Sequence, residues 1–161
     1  MPTDYLLEID GIKGESKDSK HPDTIEIQSF SWGASNPGSS GTGGGGGAGK
    51  VFFQDLNFTA AVNKASPTLA QACANGQHYK KAQLYVRKQG DHQQDYYVIV
   101  LEDFLVSSYQ SSGSPHGADV APVDQFTLNF GKIRFEYKMQ KDDGSLEPPV
   151  TATWNLKENK K

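Results

Sequence analysis

Several things are scarce in this chain, and each scarcity excludes something. Cysteine occurs once, as Cys73, so neither an intrachain disulfide nor a cysteine-rich zinc site can be built. Long apolar runs are missing. The longest, Tyr96–Leu101, falls far short of the ~20 residues that a membrane helix needs. The start, Met1-Pro2-Thr3-Asp4, has neither the basic stretch nor the apolar stretch of a secretory leader. The expectation is a protein made in the cytoplasm whose export, if any, uses no cleaved signal. Positive charge is not in excess either: 16 Lys and Arg against 19 Asp and Glu leave a net charge of −3. That is the wrong sign for the basic footprint of a nucleic-acid binder.

What is abundant is alternation with period two, which puts apolar side chains on one face of a strand. Tyr5, Leu7 and Ile9 share a parity, as do Leu84 and Val86, and Phe126, Leu128 and Phe130. Phe52, Leu56 and Phe58 are expected on one face, with Asp55, Asn57 and Thr59 opposite. Ile133, Phe135, Tyr137 and Met139 alternate with Lys132, Arg134, Glu136 and Lys138; Val150, Ala152, Trp154 and Leu156 close the series. Tyr96–Leu101 is continuously apolar and predicts a strand covered on both sides. Between Thr24 and Trp32 the phase changes, because Ile25 and Ile27 have one parity and Phe30 and Trp32 the other. A bulge or bend near Ser29 is expected there.

One helix is predicted. Ser66 would cap it, Pro67 would take its first position, Leu69, Ala72 and Cys73 would face the sheet, and Asn75-Gly76 would stop it. Cys73 reads as a small buried hydrophobe. Two stretches read as polar loops: 35–50, which holds most of the glycine, and Ser107–Pro122. The tail 157–161 is short and charged, and nothing in it reads as a separate C-terminal module. The expected fold is mainly β: one domain, 1–161, forming a compact antiparallel barrel or sandwich of about eight or nine strands with one short helix packed on it.

Chemistry-bearing patterns are weak. Gly44, Gly49 and Lys50 match most of a phosphate loop, but the metal-binding hydroxyl position is Val51, and a strand follows where a helix is required. His21, His78, His92 and His116 show no helical metal spacing, and no G-x-S-x-G is present. Asp91-His92 and Asp142-Asp143 read as solvated turns. No catalytic residue, cofactor or metal is expected. The 17 aromatic residues fall mostly on the apolar parities, so they read as core. The polar parities predict a wet face on many strands, which suits a barrel in solvent or a subunit facing a water-filled channel.

Ordered along the chain are Gly14-Glu15-Ser16-Lys17-Asp18, Ser31-Trp32-Gly33, the glycine run into Lys50-Val51, and Gln54–Thr59. Lys64-Ala65-Ser66-Pro67 through Cys73, Gly76, His78-Tyr79, Arg87-Lys88, Leu105–Ser108 and Thr127–Phe130 follow. The set, from Tyr5 to about Asn155, resembles the hemolysin-coregulated protein (Hcp) family, the tube protein of bacterial type VI secretion. The resemblance implies a small β-barrel with one helix that assembles into hexameric rings. The rings would stack into a tube inside a contractile sheath, capped by the VgrG spike protein and expelled with it.

It implies effector (toxin) proteins as cargo in the ring channel, with neither nucleic acid nor membrane insertion involved. It also implies that the long loop reaches a neighbouring subunit or ring. The matching positions here are Asn36, Gly43, Gly44, Gly45, Gly46, Gly47, Gly49 and Lys50. Ser29 and Ser31, on the polar side after the phase change, are the expected channel-facing residues. Two rivals remain: a monomeric ligand- or carbohydrate-binding β-barrel, favoured by aromatics clustered in one cleft, and a small hydrolase assembling Ser and His in space.

Overall fold

A computed structural model of the chain describes residues 3–37, 51–88, 93–115 and 121–161. The strands are β1 (Thr3–Ile9), β2 (Ile25–Ile27), β3 (Ser29–Ser31), β4 (Ala34–Ser35), β5 (Phe52–Phe53), β6 (Leu56–Ala61), β7 (His78–Lys88), β8 (Asp95–Ser112), β9 (Val123–Tyr137) and β10 (Val150–Asn155). The helix α1 spans Ser66–Asn75. One antiparallel sheet runs β2-β1-β7-β8-β9-β6-β3, with β10 added on β9; β4 and β5 form a separate ribbon.

The phase change expected near Ser29 is where the sheet closes on itself. Ile25 and Ile27 are buried in β2, which pairs with β1 at one end of the sheet. The next strand, β3, pairs with β6 at the other end. Between them the Gln28 N–H donates to the Thr59 carbonyl at 2.7 Å. The segment Ile25–Ser31 therefore spans both ends of the sheet, and the slip of one residue turns Phe30 toward Tyr5, edge to face at 5.5 Å. The result is a nearly closed antiparallel barrel of seven to eight strands, against the eight or nine expected, with one helix packed on it as the sequence predicts.

The long strands change phase a second time: the series Phe126–Phe130 and Ile133–Tyr137, of opposite parity in the sequence, belong to one strand. Leu101 and Ile133 face the core, as do Phe104 and Phe130, although the first pair has odd numbers and the second even. The change falls at Asp103, whose φ is 51°, and at Gly131 opposite it. A Cβ at Gly131 would lie 3.3 Å from the Asp103 carbonyl oxygen, a close fit that a residue without a side chain eases where the two strands bend together. This corner lets β8 and β9 serve two walls of the barrel. Core aromatics mark both walls: Phe58 stacks on Phe126 with centroids 5.3 Å apart, and Trp32 on Phe135 at 5.0 Å.

Three local expectations are corrected here, and one, the stop at Gly76, holds. The cap of α1 is Ala65, with no side-chain bond to the helix; Ser66 lies inside, and its hydroxyl donates to the buried Asp124 carboxylate. A charge in the core outweighs a capping bond at the surface. Gly76 is the left-handed stop, with φ 66° and its N–H on the Ala72 carbonyl at 3.0 Å. Cys73 is only half-buried, because the buried stripe of the helix is Ser66, Leu69 and Ala72. Ser107–Ser112 belong to β8, with a bulge between Val106 and Ser108.

Phe52 does not share a face with Leu56. It sits in the β4–β5 ribbon and is 64% exposed, whereas its neighbour Phe53 packs on Trp32. At the far end of the β9–β10 pair, Tyr137 and Met139 are about half exposed and Val150 is 75% exposed, so this apolar parity runs past the edge of the core.

Candidate channel and assembly surfaces

Across β3, β6, β9 and β8 the outward side chains fall into registered rows. One row is Ser31, Asn57, Thr127 and Ser108; the next is Ser29, Thr59, Gln125 and Gln110. Both serines expected to face the channel are exposed, on either side of the inward Phe30. Every member of the two rows is a hydroxyl or an amide, and none is ionisable. Thr127 Oγ1 lies 2.7 Å from Ser107 Oγ and 2.6 Å from Ser108 Oγ. The nearest charge is Asp55, whose carboxylate accepts from Ser107 Oγ at 2.6 Å and from Asn129 Nδ2 at 2.8 Å. Asn57 Oδ1 is buried there without a hydrogen-bond partner. Period two in the sequence marks Asn57, Thr59 and Thr127 as polar. That they join Ser29 and Ser31 in one field follows only from strand order.

Beyond the corner the outward face is charged. Lys81, Glu102 and Lys132 form one row, and Gln83, Val100, Arg134 and Thr153 the next. Lys132 Nζ lies 3.6 Å from Glu102. Alternation thus gives two wet walls of different chemistry on one barrel.

A third surface is the exposed apolar end of β9 and β10. Tyr137 and Val150 face each other across the pair, and β10 is hydrogen-bonded to β9 alone among the described strands. From Val150 to Asn155 this edge strand has no charged residue, although charge is the usual guard of an open edge. Asn36 is exposed just after β4; Gly43, Gly44, Gly45, Gly46, Gly47, Gly49 and Lys50 lie outside the described residues.

A buried arginine ties the connection between β1 and β2 to the barrel. Arg87 is 4% exposed and donates through Nη1 to Asp18 Oδ1 at 2.9 Å; its Nη2 pairs with the other oxygen. Asp4 Oδ2 lies 3.4 Å from Nη2. The guanidinium draws the Asp18 carboxyl down from 3.8 to about 2 against the opposing effect of burial, helped by the backbone N–H groups of His21 and Lys20. Next to it His21 stacks on Tyr85 at 3.9 Å, and its Nε2 lies 2.8 Å from Asp95 Oδ2. Burial, with the charges of Glu8 and Asp95, pushes Tyr85 up to about 12.

These groups are structural in placement. His78, expected at the helix boundary, is exposed with Nδ1 3.3 Å from Asp103. His92 and His116 lie outside the described residues. Among the described residues no three His, Cys, Asp or Glu side chains converge as a metal requires. Two aromatics, Tyr96 and Tyr137, meet edge to face at 6.3 Å beside Lys88, Phe52 is exposed on a separate ribbon, Tyr85 stacks on His21, and the others pack in or against the core. One pair falls short of the aromatic cluster that would favour a carbohydrate-binding barrel.

Comparison with known proteins agrees with this architecture. The family model described as "Type VI secretion system effector, Hcp" matches residues 6–137. Protein hcp1 of Pseudomonas aeruginosa (strain PAO1) is 43% identical over 161 residues, covering 99% of this chain and 98% of that one. A solved structure described as a type six secretion system protein superposes with a TM-score of 0.91 at 31% identity, covering 99% of both chains. Hcp1 from Salmonella typhimurium gives 0.79 at 33% identity, again covering 99% of both. The chain therefore belongs to the Hcp family, the structural, non-catalytic tube proteins of type VI secretion.

Proposed function

We propose that this chain, as a single domain over 1–161, closes into a homohexameric ring whose copies stack into the expelled tube. The VgrG spike would be its cap, the contractile sheath its driver, and effector proteins its cargo. Carrying this reading is the pairing of a wet wall whose two central rows are uncharged with an unguarded edge strand and exposed apolar side chains at β9–β10. A monomer gains nothing from leaving Val150, Met139 and Tyr137 in water. Head-to-tail contacts between copies would cover such surfaces, and a closing rotation would turn one wall inward.

In this reading Ser29 and Ser31 face the bore, and Asn36 with the glycine-rich stretch through Lys50 reaches the neighbouring subunit or ring. Shortening Gly43–Gly47 is expected to leave the fold intact, as read by circular dichroism, and to abolish tube growth in electron micrographs. Size-exclusion chromatography with light scattering tests the ring itself. The expected mass is about six times the 17.6 kDa of the chain. A monomer at micromolar concentration overturns the proposal.

A further inference from the structure

We infer that the cleft where β8 and β9 meet the hairpin 139–147 binds a short aliphatic carboxylate, with Lys88 as its counter-charge. The inference stands apart from the ring reading. Local bonds build the hairpin: Gln140 bridges Leu146, the Glu147 N–H donates to the Met139 carbonyl at 2.8 Å, and the Ser145 hydroxyl donates to Asp143 Oδ1 at 2.6 Å in the turn. Gln140 and Leu146 then line a cavity of about 80 Å³ together with Tyr96 and Tyr137, whose rings meet edge to face with centroids 6.3 Å apart. Two lysines, Lys88 and Lys138, complete the lining, and no carboxylate belongs to it.

What marks the cleft is the state of Lys88. Its Nζ donates to Gln140 Oε1 at 2.8 Å and sits 5.5 Å from the centre of the Tyr96 ring. Both partners are neutral, and among the described residues Lys88 forms no ion pair. Lys138, by contrast, has Glu136 3.6 Å away. An ammonium oriented by an amide and a ring face, its charge unanswered, is prepared for an anion. The space beside it is small. An apolar cavity of about 150 Å³ holds benzene, so this one takes a single branched aliphatic group. The ligand with both features is a carboxylate within a bond or two of a branched alkyl chain. A free short-chain acid has them, and so does the last residue of a polypeptide ending in leucine. Val150 flanks Tyr137 on the β10 side and Tyr96 belongs to the β8 side, so this cleft and the apolar edge lie on opposite flanks of β9.

Saturation-transfer NMR on the full chain, with ligands at millimolar concentration, tests the site. The first pair of probes is N-acetyl-leucine and N-acetyl-leucinamide, which differ only in the carboxylate. The acid is expected to bind about tenfold more tightly, because it alone offers a charge to Lys88. Added salt is expected to narrow that gap, since the pair is partly exposed. Lys88→Gln keeps a polar side chain without the charge and is expected to make acid and amide bind alike. Tyr96→Ala is expected to weaken both. Lys132→Gln, on the charged wall, should leave both as they are. Circular dichroism checks the fold of each variant.

Isovalerate and a pentapeptide ending in leucine separate the two sources of the ligand. Equal affinity for the two assigns the cleft to free short-chain acids; tighter binding of the peptide assigns it to a chain terminus. The inference is overturned if acid and amide bind the unaltered chain alike, or if neither shows saturation transfer. It is also overturned if the preference for the acid survives Lys88→Gln, or if Lys132→Gln removes that preference equally. The acid–amide comparison uses unaltered protein, so it decides the matter even where a variant fails to fold. None of these readouts depends on ring mass, so a chain that stays monomeric counts against the ring reading alone.

Discussion

Arg87 shows how one side chain can fix a segment distant in sequence. It lies in β7, but its partners Asp18 and Asp4 come from the β1–β2 connection and from β1. Because the Asp18 carboxyl titrates at about 2 when folded and near 3.8 when free, the unfolded chain binds the extra proton in that window. Stability from this pair is complete above about pH 4 and is lost as pH falls toward 2. Urea unfolding at stepped pH is expected to show this loss in the native chain and a flatter profile in Asp18→Asn. Arg87→Ala at neutral pH takes the guanidinium away from the Asp18 carboxylate and is expected to cost about 3 kcal/mol. Gly14 makes a different demand. A Cβ there would fall within 2.9 Å of Ile25 Cα and overlap the Thr24 carbonyl, both backbone and neither free to move. Gly14→Ala is expected to lower the denaturant midpoint sharply, by about 3 kcal/mol.

At the scale of elements, α1 is held by a buried carboxylate rather than by its own cap. Asp124 in β9 is 0% exposed; it accepts from Ser66 at the start of the helix and from Tyr109 Oη at 2.6 Å in β8. Three elements therefore share one charge. Ser66→Ala removes one of its two hydroxyl donors and should cost about 1–3 kcal/mol. Hydrogen exchange should speed up along α1 before it does so in β7–β9. Equal exchange in helix and sheet would mean that packing of Leu69 and Ala72 holds the helix without the carboxylate. The corner at Asp103 and Gly131 is also an element-level device, since it gives two strands four exposed faces of two chemistries.

For the whole molecule, the exposed apolar end of β9–β10 predicts how assembly and folding separate. Val150→Asp replaces a 75% exposed valine that supports little of the core, so monomer unfolding should change by no more than about 0.5 kcal/mol. Light scattering on dilution is expected to show the variant ring dissociating at higher protein concentration than the native one. A ring that resists dilution equally well would show that this end faces solvent in the assembly. The family already places the chain in the type VI tube. What the geometry adds is a division of labour among surfaces: a neutral wall, a charged wall and an apolar end.

Much of this was open to reading before any coordinates. Strands follow from period two because each side chain in a pleated strand has only two directions, and the stop at Gly76 follows from the one residue type that adopts positive φ at no steric cost. Those are local facts, fixed by neighbours in sequence. Phe52 and Val150 lie on apolar parities yet are exposed, because alternation says which residues share a side and is silent on whether anything covers that side. Ser66 looks like a cap in the sequence because its true partner, Asp124, lies 58 positions away. The neutral wall was legible only as scattered polar parities. It becomes a surface when closure of the barrel sets β3 beside β6 and β6 beside β9, a neighbourhood that pairing between distant strands decides.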